Sequence, residues 1–474
     1  MKYDLLIKNG LVCTESGMYR GGVGILNGKI AALLPEGAQA EAEKEYDAKG
    51  NIVFPGVVEP HSHFGLETMT NECFTSDLET ETRAAAQGGV TTVNTTTLFG
   101  AGSVVEYLDN AMVGTDKLKV NVKFYAAPGN DAQVAEMEEV MDRGVNAFKF
   151  LLGYRGASAR MFGMAEGGID TGMMYRGFEK IAKLGAPAFA MIHAEDPNVF
   201  EEVTPRVMKE PSTNDIAAFH KGRPSICETI DVAKAAQVAH EVGCPLYCVH
   251  ITAKESVDLI AYFKSKGYDI TGETCIHYLL LACDTPAFEN NDDYCRLAKV
   301  NPPIRERADQ ERLWQGIREG IITCVGTDHT AYTIRNKLGK PFWQTVCGCG
   351  DGLSVSLPLM FSEGVNKNRI SLDTLRKIMC ENPAKAFGLY PQKGTIALGS
   401  DADIVIIDPA KKMVIDHKDS ESANEFSLYQ GWEVTGVPVA TFVSGALVAE
   451  NYKIVCDDYP GKLLTETTRV KVTQ

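Results

Sequence analysis

The chain has 474 residues, more than one hydrophobic core usually organises. Its 45% hydrophobic and 23% charged residues are those of an ordinary globular protein, and no apolar run reaches the ~18 residues of a membrane span. A net charge of −15, from 62 acids against 47 bases, excludes the basic footprint that nucleic acid requires.

The N-terminal "MKYDLLIKNG" lacks the ordered regions of a signal peptide and reads as a strand entering a turn. Residues 1–54 read as β, with a hairpin at "VGILNGKIAALL" whose turn is Asn27–Gly28. Residues 391–474 resemble them: "SDADIVIID" is a strand, and "VATFVSGALVAEN" is a hairpin turning at Ser444–Gly445. The two end segments are expected to form one small β-sandwich, with residues 55–390 as a separate domain. Thirteen cysteines are scattered along the chain. The close pairs Cys244/Cys248 and Cys347/Cys349 lack the matching second pair of a structural zinc site. Reduced thiols in a cytoplasmic protein are expected.

Between the ends, eight apolar runs alternate with amphipathic helical stretches: "IVFPGVVE", "GVTTVNTTT", "VNVKFYAA", "NAFKFLL", "APAFAMIH", "CPLYCVH", "YDITGETC" and "GIITCVGTD". This pattern predicts an α/β fold with a (β/α)8 barrel, whose chemistry sits at the C-terminal ends of the strands.

Those ends carry an unusual set of residues. The first run continues into "VEPHSHFG", where His61 and His63 are two apart and share a strand face with Glu59. The fourth carries Lys149 between two phenylalanines. The fifth, sixth and eighth end at His193, His250 and Asp328. Each alone has a plain explanation: a lone histidine at a strand end is usually a satisfied polar residue, and an aspartate before a helix is usually a cap. Together at one end of a barrel they suit zinc or a similar divalent ion.

Four histidines and one aspartate under-supply two metals, since ions about 3.5–4 Å apart need a bridging anion. A buried lysine has a lowered pKa, and its neutral amine can add CO2 to give a carbamate. That would make Lys149 a carboxylate able to hold one metal with each oxygen. The alternative is a lysine paired with a barrel acid such as Glu59.

These residues also match a family. "PGVVEPHSH", "FKFLLGYRG", "IHAED", "CVHIT", "GETCIHYL", "NPPIR", "GTDH" and "KGTIALGSDADIVI" run in order over nearly the whole chain. They resemble the cyclic amidohydrolases of the dihydropyrimidinase and hydantoinase group, with allantoinase and dihydroorotase as close relatives. The resemblance implies a TIM barrel as the metal-dependent catalytic domain, with a β-sandwich from both chain ends. It implies one zinc on His61, His63 and Asp328, and a second on His193 and His250. Lys149, carboxylated at Nζ, would bridge them, with a hydroxide between the metals. Asp328 would move the proton from the attacking hydroxide to the leaving nitrogen. Tyr154 matches the residue that stabilises the oxyanion. Asn301 and Cys347 fall where relatives contact the ring, largely through backbone. A homotetramer acting on small cyclic amides or ureides is implied, without nucleic acid or membrane.

Some positions depart from the pattern. Glu59 stands where the family usually has aspartate, one step behind the ligands on the same face. Gly65 replaces the arginine that dihydroorotases use for a substrate carboxylate, and the following loop, "GLETMTNECFTSD", is more polar than in hydantoinases. Cys347 replaces a ring-binding asparagine. His277 and His329 match no ligand position and are expected to be structural, and His220 and His240 to be helix residues. "GCGDG" lacks the features of a phosphate loop. The expected activity is opening of hydantoins or 5,6-dihydropyrimidines to N-carbamoyl amino acids. The alternatives are allantoinase, which "GLSVSLPLMF" resembles, and a metal-free scaffold, which retention of all six ligand positions opposes.

Overall fold

The computed structural model describes residues 2–64, 74–96, 100–348, 350 and 352–466. Gly65 and most of the loop after it, together with Cys349, lie outside the described residues.

The N-terminal segment forms five strands: β1 (Lys2–Thr14), β2 (Gly17–Leu26), β3 (Lys29–Pro35), β4 (Glu41–Asp47) and β5 (Ile52–Pro55). Near the other end follow four more. Between them the barrel uses β6 (Val57–His63), β7 (Val90–Thr95), β8 (Asn121–Phe124), β9 (Ala147–Leu151), β10 (Phe189–His193), β11 (Leu246–Cys248), β12 (Ile270–Cys275) and β13 (Ile322–Gly326). Seven match the expected runs, and the first run is split: Ile52–Pro55 is β5 of the end sheet, and only residues 57–59 belong to β6. A two-residue strand, β14 (His329–Thr330), pairs with β6. The last four are β15 (Ile404–Val414), β16 (Glu433–Val443), β17 (Ala446–Glu450) and β18 (Lys453–Ile454).

Strands from both ends join in one sheet, because β5 pairs in parallel with β1 and antiparallel with β15. Both expected hairpin turns are present. Asn27 and Gly28 have φ of 52° and 73°, and Ser444 and Gly445 have 48° and 80°, so both central residues are left-handed as a type I′ turn requires. Leu5, Ile7, Val23, Ile25, Ile404, Ile406 and Phe442 form a core of their own on this sheet.

The barrel strands are parallel and fall into two runs, β6-β7-β8 and β9-β10-β11-β12-β13. Backbone bonds close both seams. Lys149 N donates to Ala126 O at 2.7 Å between β8 and β9, and Asp328 N donates to His61 O at 3.0 Å between β13 and β6. Strand alternation sorts the side chains. Ala147 faces inward among Val58, Tyr125, Met191 and Tyr247, while Phe150 faces outward, its ring 5.2 Å from Phe178 on the helix Thr171–Leu184.

The tail beyond β18 returns to the barrel. Val122 N donates to Lys462 O and Leu464 N to Val122 O, and the Lys119 ammonium donates to the carbonyls of Cys456, Asp457 and Asp458. A buried ion cluster joins sheet to barrel. Lys393 Nζ lies 2.7 Å from Asp403 and 2.9 Å from Asp401, and Asp403 also accepts from Asn121 Nδ2 of β8 and from Ser444 N. Breaking a buried pair from one side strands the other charge. Asp403→Ala is therefore expected to cost roughly 3–5 kcal/mol, read as a lower urea midpoint at unchanged slope; an unchanged midpoint would contradict the linkage.

Candidate metal centre

The expected residues meet at the C-terminal rim of the barrel. His61 and His63 end β6 with their Nε2 atoms 3.2 Å apart. Asp328 follows β13, its Oδ1 3.3 Å from each of those nitrogens. These three form a candidate metal site. Beside it, His193 Nδ1 lies 3.0 Å from His250 Nε2, and the rings of His61 and His250 are 5.5 Å apart. His250 and Asp328, at the ends of β11 and β13, have φ of 40° and 50°. Non-glycine residues in that left-handed region are costly and cluster at functional sites.

Lys149 reaches the first of these pairs. Its Nζ lies 2.5 Å from His61 Nε2 and 3.3 Å from His63 Nε2. Glu59 is not its partner: Glu59 Oε1 accepts from the backbone N–H of His61 and of Thr327, 3.0 Å each. It thus ties β6 to the start of the Asp328 turn. Burial lowers the Lys149 pKa to about 8 and raises that of Glu59 to about 7. Burial, then the neighbouring lysine, pushes His61 and His63 down, so their rings are neutral, the form that binds a metal. Burial also opposes ionisation of Asp328, but its contacts with His61 and with His63, the latter a hydrogen-bond donor, hold its carboxyl well below the usual range. The donor set is neutral imidazoles plus a carboxylate, and the buried His250 Nδ1 has no hydrogen-bond partner among the described residues. These residues fit a divalent ion.

The remaining expected residues lie around this group. Tyr154 is 5.1 Å from His193, ring to ring, and packs edge-on against Phe162. Asn301 and Cys347 line a cavity of about 770 Å³ that His63, Lys149 and Asp328 also line. Phe162, Phe200, Phe219 and Trp343 give that cavity an aromatic wall.

The histidines outside the ligand set have other contacts. His329 Nε2 lies 2.7 Å from Glu81, and its Nδ1 accepts from Gly352 N. His277 is fully buried against Tyr278. His240 stacks on Tyr268, and His220 lies 3.9 Å from Glu306.

Two further groups were not singled out in the sequence. Glu273 on β12 lies 3.2 Å from His61 Nδ1 and accepts from Tyr247 OH at 2.7 Å and His250 N at 3.3 Å. One carboxylate thus orients residues of both histidine pairs. Burial raises its pKa to about 8. Its signal was that of Lys149, a charged residue inside a β run. Glu195, two residues after His193, lies 3.5 Å from His193 Nε2 and is paired with Arg223.

Comparison with known proteins agrees with this geometry. The amidohydrolase family matches residues 216–448 and the dihydro-orotase-like family residues 50–256. An L-hydantoinase of Paenarthrobacter aurescens is 32% identical, covering 98% of each chain. An allantoinase of Bacillus licheniformis is also 32% identical, covering 98% of this chain and 100% of its own. The solved structure of an L-hydantoinase (dihydropyrimidinase) from Arthrobacter aurescens superposes with a TM-score of 0.86 at 30% identity, covering 98% of this chain and 100% of that one.

Glu273→Gln retains the volume but replaces the carboxyl group that faces His61 Nδ1. Partners behind a metal ligand typically contribute 10–100-fold to affinity. The variant is expected to hold a divalent ion roughly 10–100-fold more weakly, measured by chelator competition; unchanged affinity would show that Glu273 does not orient the ligands.

Proposed function

The chain belongs to the amidohydrolase family, among the cyclic amide hydrolases, and from that premise we propose that it opens hydantoins or 5,6-dihydropyrimidines to N-carbamoyl amino acids. The observation that carries the reading is the buried group of His61, His63, Lys149, His193, His250 and Asp328 on one wall of an aromatic-lined cavity. His61, His63 and Asp328 would hold one zinc, and His193 and His250 a second. Zinc in this position lowers the pKa of water and polarises the scissile carbonyl.

Lys149 would join the two sites as a carbamate. Its neutral Nζ attacks CO2, an N–C bond forms, and the nitrogen gives up its proton to solvent. The absence of a carboxylate partner on Nζ among the described residues and a pKa lowered to about 8 by burial support this chemistry. The product exchanges an awkward cation among imidazoles for a bidentate anion.

The other residues have assigned work. The ionised Asp328 carboxylate would take the proton of the attacking hydroxide and hand it to the leaving ring nitrogen. The Tyr154 hydroxyl, kept protonated by burial, donates to the oxygen that gains charge. Asn301 and Cys347 bound the ring. The polar loop after His63 and "GLSVSLPLMF" keep allantoin opening as the second reading. The aromatic wall favours a ring with an apolar substituent over the polar ureido arm of allantoin.

Turnover of the zinc-loaded protein on dihydrouracil, hydantoin, 5-substituted hydantoins, allantoin and dihydroorotate tests this. Opening of hydantoins or dihydrouracil is expected, whereas turnover of allantoin alone would install the second reading and no ring opening would refute both. Lys149→Ala is expected to lose metal and activity together, at least 100-fold in kcat, with partial rescue by a short carboxylic acid. Full metal occupancy and normal turnover would show that Lys149 is not the bridge.

A further inference from the structure

Two buried lysines hold the loop that carries Cys347, and one of them, Lys299, itself lines the cavity. Lys299 is 3% exposed and Lys337 is fully buried. An ammonium group has three N–H donors and no acceptor. Lys299 Nζ directs its donors to the carbonyls of Phe342 at 2.8 Å, Trp343 at 3.2 Å and Thr345 at 2.8 Å. Lys337 Nζ directs its own to Lys299 O at 2.9 Å, Val346 O at 3.2 Å and Gly348 O at 2.8 Å. The second set crosses between segments, joining the stretch that leads to Asn301 with the loop that carries Cys347.

The same loop is held from other sides. Gly348 N donates to Lys299 O at 3.0 Å, Tyr332 OH donates to Cys347 O at 3.1 Å, and Thr345 Oγ1 donates to Lys337 O at 3.0 Å. The carbonyls of Phe342, Trp343, Thr345, Val346, Cys347 and Gly348 therefore all accept from the protein. Of these residues, Trp343, Val346, Cys347 and Gly348 also line the cavity. Lys337 is itself placed by a capped turn, with Thr333 and Asn336 bonded reciprocally at the start of Ile334–Leu338.

We propose that Lys299 and Lys337 are positioning residues for the substrate wall: each ammonium gathers three backbone carbonyls, so that the Asn301 and Cys347 segments are fixed relative to each other before the ring enters. The proposal rests on the cyclic amide reading of the same cavity. Both ammonium groups bond backbone carbonyls of the wall itself, so the expected effect falls on binding and not on metal retention. A wall ordered in advance spares the ligand the cost of ordering it. An ammonium suits this task better than a neutral donor, because charge-assisted bonds to carbonyls are the stronger kind.

The test is steady-state kinetics of metal-replete Lys299→Met and Lys337→Met beside the unaltered enzyme, on whichever ring it opens. KM is expected to rise about tenfold or more with kcat within about threefold and metal content unchanged. A parallel fall in kcat with metal loss, or an unchanged KM, would overturn the proposal. Lys299→Arg covers the case of poor folding: a planar fork keeps the charge but cannot meet three converging carbonyls, so an intermediate KM is expected and an unaltered one counts against it. Hydrogen exchange over residues 340–348 decides the matter without turnover. Exchange there should quicken in both Met variants while the β9 amides stay protected, and unchanged exchange would overturn the positioning role. An unaltered enzyme that opens no ring would instead strike the proposed function, leaving the exchange result to judge the lysines.

Discussion

A buried lysine amine 2.5 Å from a neutral imidazole nitrogen, with no carboxylate upon it among the described residues, is the contact around which the barrel rim is organised. Lysine is almost never fully buried unless paired, and a cation among metal-binding imidazoles opposes the metal. The neighbourhood resolves this by lowering its charge. Burial weakens the ammonium, and Glu59, the nearest acid on the same strand face as the histidines, is spent on backbone N–H groups of His61 and Thr327. What is left is a nucleophilic amine against the ring nitrogens of His61 and His63.

The register of the barrel explains why the residue is a lysine. Lys149 pairs across the sheet with Met191, whereas His193 pairs with Leu151, so Lys149 begins one inward-facing position deeper than His193. Two residues of strand amount to about 6–7 Å. An aspartate or glutamate rooted there would fall short of the imidazoles at the rim, and a four-carbon stem reaches them. Asp328 and His250 solve the converse problem. They lie beyond the ends of their strands and turn back through left-handed backbone, a local cost that the seam bond from Asp328 N to His61 O and the bond from His250 N to Glu273 help to hold.

Much of this was legible in the residues because charge is conspicuous where a strand should be apolar. The eight runs, the two hairpin turns and the strand-end histidines all signalled themselves through alternation and turn chemistry. What lay hidden depends on contacts between distant parts of the chain. Glu273 stood inside a recognised motif, but nothing local said that its carboxylate would meet His61, Tyr247 and His250. Lys299 and Lys337 look like ordinary surface charges until the loop 342–348 folds over them. The return of residues 461–464 to the edge of β8 has no sequence pattern of its own, because a short parallel pairing can be made by almost any extended segment.

The barrel, the imidazole pairs and the displaced lysine make one claim: two metal sites share one bridging side chain. Metal analysis of the purified, unmodified protein tests it most directly. The account predicts two divalent ions per chain, removed together by chelation and restored together only when CO2 or bicarbonate is supplied. A chain that saturates at a single ion, or that refills both sites in the strict absence of CO2, would contradict it.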